Sequence, residues 1–149
     1  MNSVSNSTFS YLDVEYIIEC DGGILPKENI ASVAWVIRRY TDETIVAEGR
    51  AITEYSKSTI EAEYLSMKTA LIESKEIGCE NIIVKTDYDG FIKHLNPNNN
   101  TEISDINSLQ NILDEFNAWC VKSVKRDNIK RPHQLASSID VDIDYTFTI

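Results

Sequence analysis

A chain of 149 residues, 42% hydrophobic and 26% charged, has the composition of one soluble globular domain with a real core. No apolar stretch approaches the roughly 18 residues of a membrane span, and Met1–Asn6 lacks the basic-then-apolar pattern of a signal peptide, so a cytoplasmic protein is expected. The net charge of −10 weighs against phosphate-rich partners, and the scattered Cys20, Cys79 and Cys120 read as reduced, buried thiols rather than a disulfide or metal framework.

Residues 1–12 are polar and Ser/Asn-rich and read as a flexible leader. Val14 to Asp21 reads as a first strand, Ala31 to Arg39 as a second and Thr44 to Ile52 as a third. The short link Thr41-Asp42-Glu43 makes the three an antiparallel meander. A helix follows from about Thr59 to Ile77. Ser58 with Glu61 gives a capping-box start, Gly78 a stop, and Tyr64, Met67, Ala70, Leu71 and Ser74 a buried face. Asn81 to Asp87 is a fourth strand, parallel to the first because a helical crossover leads to it. A short helix at Gly90 to Leu95 ends at Asn96-Pro97-Asn98-Asn99-Asn100. Then come a helix from Ile103 to Phe116, a fifth strand from Trp119 to Val124, and a last helix from Pro132 to Ile139 with proline at its first position.

The order β-β-β-α-β-α-α-β-α makes one α/β domain over residues 13–139. In the 140–149 extension, Val141, Ile143, Tyr145, Phe147 and Ile149 alternate with polar residues, the pattern of a C-terminal strand. It either joins the edge of its own sheet or pairs with a second chain as a homodimer. Asp140-x-Asp142-x-Asp144 is not a calcium loop, since Tyr145 replaces the turn glycine and no closing glutamate follows.

Three carboxylates stand out by their settings. Asp21 closes the apolar run Tyr16-Ile17-Ile18-Glu19-Cys20 before Gly22-Gly23, Asp87 closes Ile82-Ile83-Val84-Lys85-Thr86, and Glu63 lies one turn into the first helix. Two strand-end aspartates and a helix glutamate offer the hard oxygen ligands that hydrated divalent metal takes, an arrangement suited to phosphoryl transfer. Charge is also uneven. Lys122, Lys125, Arg126, Lys130 and Arg131 against Asp127 give residues 122–131 a local +4, leaving nine basic and 23 acidic residues elsewhere. Such a segment reads as a solvated surface or as a local grip on phosphate.

At these residues the chain resembles the type 1 ribonuclease H family. Asp21-Gly22-Gly23 matches its D-G-S/G, Ala62-Glu63-Tyr64 its A-E-Y/L, and Thr86-Asp87 its T/S-D. His133-Gln134-Leu135-Ala136 falls where the family usually has A-D-x-L-A. The resemblance runs from about Val14 to Ser138 and rests on four motifs in order, each weak alone. It implies a ribonuclease H-like fold, a mixed five-stranded sheet flanked by helices with the C-terminal strand as an addition. It also implies an endonuclease that hydrolyses the RNA strand of RNA–DNA hybrids and leaves 5′-phosphates, using two Mg²⁺ or Mn²⁺ ions about 4 Å apart. Asp21, Glu63 and Asp87 would be metal ligands and, with His133, catalytic. Gly22, Gly23, Thr59, Lys125, Arg126, Lys130 and Arg131 would touch the hybrid, read through its minor-groove shape and 2′-hydroxyls.

The chain departs from that pattern at three points. His133 removes a charge and a hard ligand, which weakens magnesium more than manganese, or else it moves protons and helps product leave. Thr59 and Ile60 stand where the family has a polar substrate-touching pair. A basic protrusion and an additional hybrid-binding domain are not expected. The alternatives to an active ribonuclease H are a non-catalytic module binding nucleic acid or a protein, and a related nuclease acting on DNA.

Overall fold

A computed structural model describes residues 2–25, 30–53, 59–95 and 104–137. Its first element falls within the stretch read as a leader. Ser3–Ser5 (β1) pairs antiparallel with a later strand through Val4 and Val121. The sequence hides this strand because Val4 is its one apolar residue, so no periodicity shows. Asn6 fixes it: its side-chain amide donates to the Asn117 carbonyl at 3.2 Å, and its Oδ1 accepts the Trp119 N–H at 3.1 Å.

The meander follows as expected. β2 (Tyr16–Leu25), β3 (Ile30–Arg39) and β4 (Ile45–Thr53) are antiparallel neighbours. Trp35 on β3 lies opposite Gly49 on β4, where a Cβ would stand 2.4 Å from the indole; the glycine is the seat for that ring. β2 does not stop at Asp21. It runs four residues further, and Asp21-Gly22-Gly23 is continuing strand rather than a turn.

Helix α1 (Thr59–Glu76) crosses to β5 (Asn81–Thr86), which lies parallel to β2. Gly78 ends the crossover helix at a φ of 91°, the left-handed conformation that glycine adopts without steric cost. After α2 (Gly90–His94) and α3 (Ser104–Leu113) comes β6 (Ala118–Ser123), parallel to β5, and then α4 (Lys130–Ser137). The sheet has six strands in the order β1-β6-β5-β2-β3-β4, one more than the five expected. Pro132 is the third residue of α4, not the first; its missing N–H still falls in the turn whose donors have no helical partner.

Met67, Ala70, Leu71, Tyr64 and Ser74 are buried as the helical spacing predicts, and α1 packs with Leu109 and Leu113 of α3 against Ile18, Val33, Ile82 and Val84. The buried Ser66 and Ser74 hydroxyls donate to carbonyls in their own helix, so no strong donor is stranded there. The three cysteines are free and buried, and burial pushes the Cys79 thiol up to about 11. No helix among the described residues is long and apolar enough to cross a membrane. The 140–149 extension, with its homodimer reading, the Ser58 cap and the Asn96–Asn100 break lie outside the described residues.

Candidate active site

The parallel pairing of β2 and β5 ends at Glu19 and Lys85, so Asp21 and Asp87, each two residues further on, stand level where the ladder opens. Ligands of α/β sheets bind at such carboxyl ends of parallel strands. Asp21 and Gly22 alternate along β2 and face opposite ways. Gly22 faces α1: a Cβ there would lie 2.3 Å from the Ala62 carbonyl oxygen. The D-G pair and the A-E pair are therefore two sides of one contact. Bare backbone on β2 admits the backbone of α1, and that approach carries Glu63 to Asp21. At Asp87, the buried Thr86 hydroxyl accepts the Tyr88 N–H at 3.1 Å and shapes the turn that presents the carboxylate.

Asp21, Glu63 and Asp87 each offer a carboxylate oxygen, and these oxygens lie within 4.8 Å of one another. Asp21 and Glu63 are only 3% and 7% exposed. Asp21 Oδ1 and Glu63 Oε2 are buried with no hydrogen-bond partner. Burial, then the neighbouring Asp21 and Asp87 charges, push the Glu63 carboxyl up to about 8. Burial also raises Asp21, against a hydrogen bond from His133 that lowers it. Two orphaned oxygens in an all-carboxylate set fit a divalent cation with a preference for oxygen.

His133 approaches from α4 on the other face, its Nδ1 3.0 Å from Asp21 Oδ2. An ionised carboxylate only accepts, so Nδ1 donates there and Nε2 takes no part in that bond. His133 is not one of the three clustered ligands. Arg126, just after β6, donates from Nε to Asp87 Oδ2 at 3.0 Å.

The other residues singled out in the sequence are spread over two clefts and the surface beyond them. Gly22, Gly23 and Thr59 line a cleft of about 260 Å³ with Asp21, Glu63 and His133. Lys125 lines a second cleft of about 810 Å³ that Asp87 also borders, and Arg126 lines both. Arg131 is turned away, paired with Glu48 of β4 at 2.7 and 3.1 Å, and Lys130 is exposed and lines neither cleft. Ile60 is exposed. Glu19 is buried but tied to Arg38 at 3.0 Å. Asp89 occupies the start of α2 without capping it; its carboxylate accepts the Ser123 hydroxyl instead. Asn2 and Ser123, which line the second cleft, carry no sequence signal, because the pairing of β1 with β6 brings them there.

The reverse transcriptase-like family model matches residues 19–139. No curated protein matches the sequence. Among solved structures the chain is similar to ribonuclease H1 of the halophilic archaeon Halobacterium salinarum, at 25% identity and a TM-score of 0.69 over 82% of this chain and 94% of that one. It is similar to the N-terminal RNase H domain of a Mycobacterium tuberculosis protein, at 19% identity and 0.68 over 84% and 92%. It is also similar to LC11 ribonuclease H1 in complex with an RNA/DNA hybrid, at 17% identity and 0.69 over 83% and 94%. The motifs, the sheet order and these matches agree, and the chain belongs to the reverse transcriptase-like family and, within it, to the type 1-like branch of the ribonuclease H family.

Proposed function

We propose that this protein is a divalent-metal-dependent endonuclease that hydrolyses the RNA strand of RNA–DNA hybrids and leaves 5′-phosphate ends. The observation that carries the reading is the trio Asp21, Glu63 and Asp87, with ligand oxygens inside 4.8 Å and two of those carboxylates holding a buried, unpartnered oxygen. Unpaired buried acceptors are costly, and a protein keeps them where something binds. The hybrid in the LC11 complex supports the choice of substrate, since this chain shares that fold.

Asp21, Glu63 and Asp87 would hold Mg²⁺ or Mn²⁺, two ions in the family's manner. Such ions, when bound, supply Lewis-acid activation of water and stabilisation of the leaving 3′ oxygen. The protein's own residues do the rest. His133 holds Asp21 through Nδ1 and leaves Nε2 to take or give a proton at the mouth of the cleft. Burial of Asp21 and Glu63 keeps competing water from their oxygens. Gly22, Gly23 and Thr59 form the wall on which the RNA strand lies, and Lys125 and Arg126 grip phosphate beyond Asp87.

The test is cleavage of a labelled RNA–DNA hybrid in Mg²⁺ and in Mn²⁺, with Asp21→Asn as control. Loss of a ligand should cost more than the 10–100-fold typical of outer partners. Cleavage absent in both metals, with the variant indistinguishable, would sink the enzyme and leave a non-catalytic binding module. One observation favours that second reading: His133 and Arg126 already pair with two of the three carboxylates. Cleavage of DNA duplex but not hybrid would mark a different nuclease.

A further inference from the structure

Away from the carboxylates, the sheet surface that bears Ile17 and Ile83 carries a groove of about 560 Å³. Its floor is Ile17 of β2 and Ile83 of β5, and its walls include Tyr11 and Tyr40. Lys85 and Lys122 also line it, and they are direct neighbours across the parallel β5–β6 pair. Like charges side by side on a sheet repel, and in a chain of net charge −10 two adjacent lysines are not a matter of general composition. The acid nearest in register, Glu19 opposite Lys85, is already tied to Arg38, leaving Glu43 as the groove's acidic lining residue. Lys122 Nζ lies 4.7 Å from the Tyr11 ring centroid, and Phe9 meets the same ring edge-on at 5.1 Å. These contacts hold a tyrosine that is nonetheless 51% exposed.

Lys85 lies two residues before Asp87, which follows the end of β5 directly. On β2, Ile17 and Asp21 are four residues apart and alternation puts both on one face, so the groove floored by Ile17 leads away from the carboxylate centre.

We propose that this groove binds single-stranded nucleic acid continuing from the active site, with Lys85 and Lys122 on its phosphates and Tyr11 and Tyr40 stacking on its bases. A single strand fits better than a duplex because the rings need unpaired bases, and stacking on aromatics beside a cationic track suits any sequence. The inference rests on the proposed nuclease reading, as it takes the strand to be substrate or product.

The test is fluorescence anisotropy of a labelled 12-nucleotide single strand with the full chain in EDTA, where nothing is cleaved. Lys85→Glu/Lys122→Glu should weaken binding about tenfold or more and lower the log–log salt slope by roughly 1.4, two phosphates' worth for a single strand. Tyr11→Ala should weaken it about fivefold or more while Tyr11→Phe retains it, and circular dichroism should show all variants folded. In Mg²⁺ the double variant should raise KM and spare kcat. Unchanged affinity and salt slope in the folded variants overturns the proposal, as does tighter binding of a polyglutamate peptide than of the oligonucleotide. An inert active site would not alter the EDTA result, so the two readings fail separately.

Discussion

Asp21 and Glu63 are buried, and each keeps an oxygen with no partner, whereas Asp87 is only partly buried and gives an oxygen to Arg126. The buried pair is placed by packing: the β2 ladder fixes Asp21, and the contact of Gly22 with Ala62 brings Glu63. The open side is placed by side chains from the β6–α4 segment, Arg126 on Asp87 and His133 on Asp21. The inner half therefore sets geometry at a cost in stability, and the outer half adjusts charge and can rearrange. A divalent cation would relieve the inner half and compete with Arg126 at the outer one.

The sharpest way to break that division is Glu63→Gln. Hybrid cleavage should fall more than about 100-fold, beyond what loss of an outer partner costs, yet the metal-free protein should become more stable at pH 8. The sign follows from linkage. Glu63 sits near 8 in the folded protein against 4.5 unfolded, so between those values the folded state holds the extra proton. Stability is greatest at the acid end and is lost as pH rises through about 8; raised Asp21 adds in the same direction. In EDTA, denaturant midpoints should drop from pH 5 to pH 8.5 in wild type and drop less in Glu63→Gln. An equal fall in both proteins would mean that Glu63 is not the strained group.

Gly22→Ala attacks the same inner half without touching a charge. The added Cβ would stand 2.3 Å from a backbone oxygen, which cannot rotate away, so α1 must shift. Overpacking of this kind costs about 1–3 kcal/mol, and cleavage should fall with it because Glu63 moves too. Urea melts and cleavage rates on one preparation would show both. Gly23→Ala is the control for the urea melts, since its nearest neighbour is the Ser32 hydroxyl at 3.7 Å.

Gly22 also marks where the sequence stops being legible. The meander, the crossover and the buried stripe of α1 follow from periodicity and turn residues, which are local signals. The three carboxylates could be picked out because each sits in a short motif, Asp21-Gly22-Gly23, Ala62-Glu63-Tyr64 and Thr86-Asp87. Reading Asp21-Gly22-Gly23 as a strand end failed for the opposite reason: the glycine answers to Ala62, 40 positions away, and not to its own backbone. β1 was missed because a strand of serines around one valine is held by ladder bonds and Asn6, with no apolar period to see. Arg131 carries the same charge as Arg126 and lies five residues on, but helical geometry turns one to Glu48 and leaves the other at Asp87.

His133 tests the boundary between the halves. The sequence leaves two readings open, a softer site that spares manganese over magnesium and a histidine that moves protons or helps product leave; the 3.0 Å bond to Asp21, outside the ligand cluster, favours a positioning residue. His133→Ala should then lower kcat about tenfold or more, as outer partners of metal ligands do, and equally in the two metals. A loss concentrated in Mn²⁺ would restore the ligand reading.

The smallest effects belong to the two arginines, and their difference is the point. Both donate from Nε to a carboxylate, Arg126 to Asp87 at 3.0 Å and Arg131 to Glu48 at 2.7 Å. Arg126→Ala removes a positive charge from a cluster that would bind a cation, so half-maximal activity should need a few-fold less metal. The same change removes a phosphate contact, so KM for hybrid should rise and the salt dependence of binding should flatten. Arg131→Ala leaves the carboxylate centre untouched, and its metal titration should overlay that of wild type. If both variants shift the titration alike, the effect is net charge on an acidic surface. If Arg126→Ala alone shifts it, the guanidinium on Asp87 is a local counter-charge that the metal displaces.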